Sequence, residues 1–277
     1  MLGQRVASAA AGIPVILLLI WFGGPWYLAA VCAALAVASV EFQHAQGRRW
    51  LDPTGLLIAA IVAGIAVGAY IGRLEWLLWL AAGAVIPAVA VAVNPVDATP
   101  GSARGDELRR AVAWTAGGVA YLGVLGGTLV MLRQVEFDGR DWVYVAVLGT
   151  FATDTGAFFI GRAVGRHLLA PTISPKKTVE GFLGGWMTGF AAVVAAAYAF
   201  RAGSDLVFEP WHVVVLGLTL PLAATVGDLV ESAMKRARHI KDASELIPGH
   251  GGVLDRLDSI LFTFPTVFLF VEYVVSR

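Results

Sequence analysis

Long apolar stretches separated by short polar ones set the pattern of this chain. A helix that crosses the hydrocarbon core of a bilayer needs roughly 20 mostly apolar residues. Nine segments qualify by that measure, at about 7–23, 26–45, 54–73, 75–94, 111–132, 142–164, 182–200, 211–235 and 259–276. None alternates apolar and polar residues as the strands of a membrane β-barrel do. A span with no water around it must make its backbone hydrogen bonds internally, so these segments read as helices. The pattern predicts an all-α, polytopic membrane protein of about nine transmembrane helices. Glycine pairs inside the spans, Gly117-Gly118 and Gly184-Gly185, let helix backbones approach closely in lipid. The apolar stretch after Arg5 partly mimics a signal peptide. It has no convincing small-residue cleavage site followed by polar sequence, and further apolar segments follow at once, so it reads as the first span.

Composition agrees. Hydrophobic residues make up 58% of the 277 and charged residues 14%, against about 25% charged in soluble domains. The apolar surplus runs along the whole chain and leaves no room for a separate soluble domain. The chain divides into N-terminal membrane helices (1–110), ending in an exposed loop at 95–110, and C-terminal membrane helices (111–277) that carry the polar chemistry. Net charge is zero and says nothing about partners, but its distribution does. With the N-terminus in the cytoplasm, 15 of the 20 basic residues fall on the cytoplasmic side; Arg133 and Arg201 are among the five that do not. The positive-inside rule favours that orientation. Cys32 is the one cysteine, which excludes an internal disulfide and a cysteine-built zinc site. Trp26, Trp76, Trp142 and Trp211 fall near span ends, as aromatic-belt residues do. The concentration of polar residues in the second half argues against an inverted-repeat transporter.

The densest polar region follows the eighth span. Asp228, Glu231 and Ser232 are spaced i, i+3, i+4 and share a helical face. Asp255 and Asp258 share another, at the start of the ninth span, where carboxylates suit the helix dipole. In this topology both helix ends lie at the same membrane surface, so four carboxylates can converge. A magnesium ion takes one or two carboxylates plus substrate phosphates. Lys235, Arg236, Lys241 and Arg256, interleaved with the acids, suit phosphate oxygens, and Gly251-Gly252 lets backbone amides approach a phosphate. A bland basic loop that attracts anionic lipid leaves the helical spacing of the acids unexplained.

These residues carry a resemblance. Ser232, Met234, Lys235, Arg236, Lys241, Asp242, Ser244, Ile247, Pro248, His250, Gly251, Gly252, Val253, Asp255, Arg256, Leu257 and Asp258 together resemble the signature of the phosphatidate cytidylyltransferase (CDP-diacylglycerol synthase) family. Asp154-Thr155-Gly156, at membrane depth, and Ser174-Pro175-Lys176-Lys177-Thr178-Val179-Glu180-Gly181 resemble two further segments of that family. The second also reads plainly as a turn with a capping Thr178.

The resemblance implies transfer of a cytidylyl group from CTP to phosphatidic acid, giving CDP-diacylglycerol and pyrophosphate. The active site is then at the cytoplasmic side of the cell (inner) membrane, with membrane lipids around it and no nucleic acid as partner, in a homodimer. Asp228 and Asp255 are the first expected ligands of Mg²⁺, in one or two sites, with Glu231 and Asp258 beside them. Lys241, His250 and Asp258 join them as catalytic candidates; His250 either protonates the departing pyrophosphate or donates a hydrogen bond. Asp154, Ser174, Lys176, Lys177, Thr178, Glu180, Ser232, Lys235, Arg236, Asp242, Gly251, Gly252 and Arg256 are the substrate-binding candidates. Glu41, near a span end, reads as a structural hydrogen-bonding group. The rival readings are an isoprenoid-lipid cytidylyltransferase or kinase, an ion-coupled transporter prompted by Asp154 and Asp228, and a non-catalytic membrane scaffold.

Overall fold

The computed structural model describes residues 2–47, 49–72, 103–136, 138–201, 209–238, 240, 243–244, 246–247 and 251–275. The expected span at 75–94 with Trp76, and the site candidates Lys241, Asp242 and His250, lie outside the described residues.

The helices are α1 (Leu2–Phe22), α2 (Gly24–His44), α3 (Pro53–Tyr70) and α4 (Ala103–Gly118). The chain runs from α4 through a π-helical segment, Val119–Leu125, into α5 (Gly126–Arg133). Then come α6 (Gly139–Val164), a hairpin of β1 (Leu168–Ala170) and β2 (Ser174–Thr178), α7 (Val179–Arg201) and α8 (Pro210–Arg236). The short α9 (Leu254–Leu257) precedes α10 (Ile260–Phe270), which ends in a second π-helical turn. Among the described residues, seven helical stretches are long and apolar enough to cross a membrane. Each expected span within the described residues is helical.

Local signals set several boundaries. Asp52 accepts a hydrogen bond from the Thr54 amide at 3.1 Å, ahead of Pro53 in the first turn of α3. Glu209 and His212 form a reciprocal cap at α8, where Pro210 occupies the first turn. These supply partners for amides that a helix start leaves unpaired.

Contacts sort the helix termini into two ends. At one end, Trp114 of α4 donates to the Phe42 carbonyl of α2 (3.4 Å), and Arg236 of α8 donates to the Ile173 carbonyl in the hairpin (3.3 Å). At the other, Tyr144 of α6 donates to Leu17 O (2.9 Å), Gln134 beyond α5 to Tyr70 O (2.8 Å), and Arg133 to Ile20 O (3.3 Å). The chain thus leaves α3 at one end and begins α4 at the other. This is the alternation that the basic residues require.

One hydrophobic cluster, running from Ile20 to Val271, joins the first helices to the last. Trp142 belongs to it: fully buried and set edge-on to Phe270, it is a core residue and not part of an aromatic belt. Trp26 and Trp211 are exposed, as a belt requires. The antiparallel hairpin pairs Leu168 with Thr178 and Ala170 with Ser174. A strand therefore stands where the sequence reads as a turn, because its partner strand lies just upstream. The capping role of Thr178 does hold, since its hydroxyl accepts from the Gly181 amide at 3.1 Å.

α6 and α7 pack most closely through small residues. A Cβ at Gly185 would lie 2.6 Å from the Thr153 carbonyl oxygen, and Thr188 donates to Ala152 O at 3.0 Å. Gly185→Leu forces these backbones apart. Overpacking costs about 1–3 kcal/mol, so a lowered Tm of the detergent-solubilised protein is the expected outcome, with Gly12→Leu, at a position with no atom within 4 Å, unchanged.

Candidate active site

α8 ends in a polar face formed by Asp228, Glu231, Ser232 and Lys235, with neighbours three or four residues apart. Glu231 and Lys235 form an ion pair at i, i+4. The Lys235 ammonium also reaches Asp255 at the start of α9, 2.6 Å away. Glu231 and Asp255 are both buried. One ammonium thus serves two carboxylates and ties the tip of α8 to the tip of α9. Unpaired buried charges are costly, so neither acid can hold its place without Lys235.

Asp255 has further partners. It accepts from the Gly252 amide (2.8 Å) and the Ala243 amide (3.1 Å), and so closes the connecting loop onto α9. Glu41, fully buried in α2, closes it from the other side. Its carboxylate accepts from Ser244 Oγ (2.6 Å), the Val253 amide (3.1 Å) and the Leu254 amide (2.7 Å). Glu41 is therefore the structural hydrogen-bonding group its sequence position indicates, and its partners lie more than 200 positions away.

The glycines serve these carboxylates. A Cβ at Gly252 would sit 2.7 Å from Glu41 Oε2, and Gly251 adopts a left-handed φ of +82°, which favours glycine. In place of the expected phosphate contact, the Gly252 amide is spent on Asp255.

A second, more open group lies beside this lock. Asp228 pairs with Lys177 of β2 at 2.7 Å, both side chains partly accessible. Ser232 Oγ donates to Asp228 (3.3 Å). Asp258 accepts from the Ser259 amide (2.6 Å), and Ser259 Oγ reaches Asp154 of α6 (3.5 Å). A Cβ on Gly227 would meet the Asp258 carbonyl oxygen at 2.5 Å, so α8 and the α9–α10 junction touch there. Asp154, Asp228 and Asp258 lie in one another's electrostatic field, with Lys177 and Arg256 as the nearby cations. Asp154 and Arg256 are exposed, so this group is more accessible than the lock.

The four-carboxylate convergence read from sequence forms only in part. Among the described residues no three His, Cys, Asp or Glu side chains are arranged to hold a metal ion. Lys235 takes the space between Glu231 and Asp255, while Asp228 and Asp258 are less buried. Two carboxylates with substrate phosphates suffice for Mg²⁺, so the donor set fits a hard cation at Asp228 and Asp258.

Other candidates stand apart from this group. Arg236 donates to the Ile173 and Ile240 carbonyls (3.3 and 2.8 Å), which makes it a tie between hairpin and loop. Glu180 accepts from the Arg166 and His167 amides (3.0 and 3.2 Å) and pairs with the His167 ring. Ser174 and Lys176 lie on β2, Lys176 exposed; of that strand only Lys177 reaches the acidic group.

Tyr121 has no sequence signal. It sits in the π-helical segment, and its hydroxyl is buried without a hydrogen-bond partner among the described residues, in the field of Asp258, Glu231 and Asp228. π-Helical turns recur at functional sites, but an apolar run does not reveal one.

The fold and site define a polytopic helical protein of membrane-crossing length, with acidic and basic groups gathered at one end of its bundle. The chain belongs to the cytidylyltransferase family, which it matches over residues 3–274. It is 36% identical over 148 residues to the phosphatidate cytidylyltransferase of Bacillus subtilis (strain 168), an alignment covering 53% of this chain and 54% of that protein. It is 38% identical over 147 residues to the phosphatidate cytidylyltransferase of Staphylococcus aureus (strain COL), with the same coverage. The chain spans about half the length of the curated relatives it matches.

Two outcomes follow from this geometry. Lys235→Met leaves Glu231 and Asp255 buried without a cation; breaking such a pair costs about 3–5 kcal/mol, and thermal unfolding in detergent measures it. Glu41→Ala frees the Val253 and Leu254 amides. Losing charge-assisted bonds worth about 1.5–3 kcal/mol speeds their hydrogen exchange by at least about tenfold, read by mass spectrometry.

Proposed function

We propose that this protein transfers a cytidylyl group from CTP to phosphatidic acid at the cytoplasmic face of a bacterial inner membrane, releasing pyrophosphate and leaving CDP-diacylglycerol. The observation that carries the reading is the meeting of the α8 and α9 tips through Lys235, with Asp228, Asp258 and Asp154 grouped beside Lys177 and Arg256. Family membership and the names of the relatives support the same chemistry. The basic residues of the sequence support the cytoplasmic orientation. The family resemblance supports a homodimer.

Both substrates are anions, and phosphoryl-type transfer is catalysed chiefly by positioning and charge neutralisation. A phosphate oxygen of phosphatidic acid attacks the α-phosphorus of CTP, and the bond from that phosphorus to the bridging oxygen of pyrophosphate breaks. The attacking oxygen is already anionic, so the chain need not supply a strong base. Lys177 and Arg256 neutralise phosphate oxygens. Asp228 and Asp258 hold Mg²⁺, which when bound supplies positive charge to the phosphates. Asp154 and Ser259 fix the wall beside Asp258, and Ser232 orients Asp228. Asp255, Glu231 and Lys235 keep the two helix tips in register, and Glu41 holds the loop that carries Lys241, Asp242 and His250. Those three keep the phosphate-binding, orienting and proton- or hydrogen-bond-donating roles that the resemblance implies.

The purified protein with CTP, phosphatidic acid and Mg²⁺ is expected to release pyrophosphate. Asp258→Asn lowers that rate by at least about 100-fold, the scale of losing one preorganised electrostatic group, and weakens Mn²⁺ binding read by electron paramagnetic resonance. Preference for an isoprenoid phosphate as acceptor, or ion flux in liposomes without CTP turnover, would overturn the proposal.

A further inference from the structure

The Tyr121 hydroxyl is buried with no hydrogen-bond partner among the described residues. Leaving such a group unpaired is costly, and a phenylalanine would fill the same space without that cost. Other tyrosines of the bundle avoid it. Tyr27 donates to the Leu129 carbonyl (3.0 Å) and Tyr144 to the Leu17 carbonyl (2.9 Å).

Contacts place this unspent donor at the acidic group. The π-helical segment is pinned on both sides: a Cβ on Gly118 would lie 2.8 Å from the Phe42 ring, and one on Gly123 2.7 Å from Ile65. The Tyr121 ring packs against Phe262 of α10, with centroids 6.3 Å apart. Phe262 stands four residues beyond Asp258. A Cβ on Gly227, the residue before Asp228, would meet both the Phe262 ring (3.0 Å) and the Asp258 carbonyl oxygen (2.5 Å). Tyr121, Asp228 and Asp258 therefore surround one contact between α8 and the α9–α10 junction.

The charges acting on the hydroxyl are those of Asp258, Glu231 and Asp228, with Asp258 the strongest. All three are carboxylates, and a hydroxyl dipole orients in the field around it, so its hydrogen turns toward the acids. A neutral donor suits the place. A second ammonium would compete with a divalent cation, as Lys235 does between Glu231 and Asp255. Asp258 is already held by the Ser259 amide at 2.6 Å, and Tyr121 offers a donor from a different helix. The separation leaves no direct hydrogen bond, and an ordered water bridges such groups at little cost.

We propose that Tyr121 is a positioning residue for the cation site: its hydroxyl, through one ordered water, donates toward the Asp258 carboxylate and fixes it for a divalent cation. The inference rests on the reading of Asp258 as a cation ligand. Groups that hold a metal's ligands tune its affinity, and losing one costs about 10–100-fold.

The test compares the whole wild-type protein with Tyr121→Phe, which removes one oxygen and keeps the ring against Phe42 and Phe262. Mn²⁺ binding, read by electron paramagnetic resonance in detergent without CTP, is expected to weaken by at least about tenfold. The Mg²⁺ concentration for half-maximal turnover rises by the same factor, while the KM for phosphatidic acid at saturating Mg²⁺ and the Tm stay unchanged. In an Asp258→Asn background the same substitution has no further effect on Mn²⁺ affinity, the sign of two coupled residues. Unchanged Mn²⁺ affinity in Tyr121→Phe overturns the proposal, and a lowered Tm beside it assigns the hydroxyl to the Glu231–Lys235 lock. Equal losses in both backgrounds overturn it as well. Wild-type protein with no Mn²⁺ affinity overturns it together with the cation assignment. Because binding is read without CTP, wild-type protein that binds Mn²⁺ and shows the Tyr121→Phe loss yet releases no pyrophosphate sinks the catalytic reading alone.

Discussion

The Lys235 ammonium, shared between the buried carboxylates of Glu231 and Asp255, is the contact around which the functional end of the molecule is organised. Its attraction must offset the cost of taking three charged groups out of water, and that succeeds only when geometry and added hydrogen bonds are good. Here the additions are backbone amides: Gly252 and Ala243 on Asp255. The result is a joint between two helix tips that permits little sliding, because any shift would leave a buried acid without its partner.

Glu41 extends that joint across the molecule. Three donors from the loop and the start of α9 converge on one carboxylate of α2, so the first helices do more than anchor the chain in lipid. They hold the loop whose ends carry the signature. The two glycines fall where these carboxylates approach closest, which gives the Gly-Gly pair a steric reason.

The ionisable groups at this end divide by burial. Lys235, Glu231, Asp255, Glu41 and Arg236 are consumed by internal partners and serve as structure. Asp154, Asp228, Asp258, Lys177 and Arg256 form a more accessible group with an excess of negative charge. Phosphate-bearing substrates and a divalent cation would complete that balance.

The all-α class, the positions of the described spans and the alternation of their ends were legible along the chain, because length, apolarity and basic residues respond to the bilayer one segment at a time. The pairing of Asp228 with Ser232 was legible too, since i, i+4 spacing on a helix is a local property. Which acids are locked and which are left accessible emerged with packing, since that depended on where the Lys235 ammonium could reach. Packing alone brought Glu41 to the loop and Lys177 to Asp228, moved Trp142 from belt to core, and turned Tyr121 inward on a π-helical turn. Each of these is a contact between residues distant in sequence, fixed by packing and by the cost of burying a charge unpaired, and neither operates within a single segment.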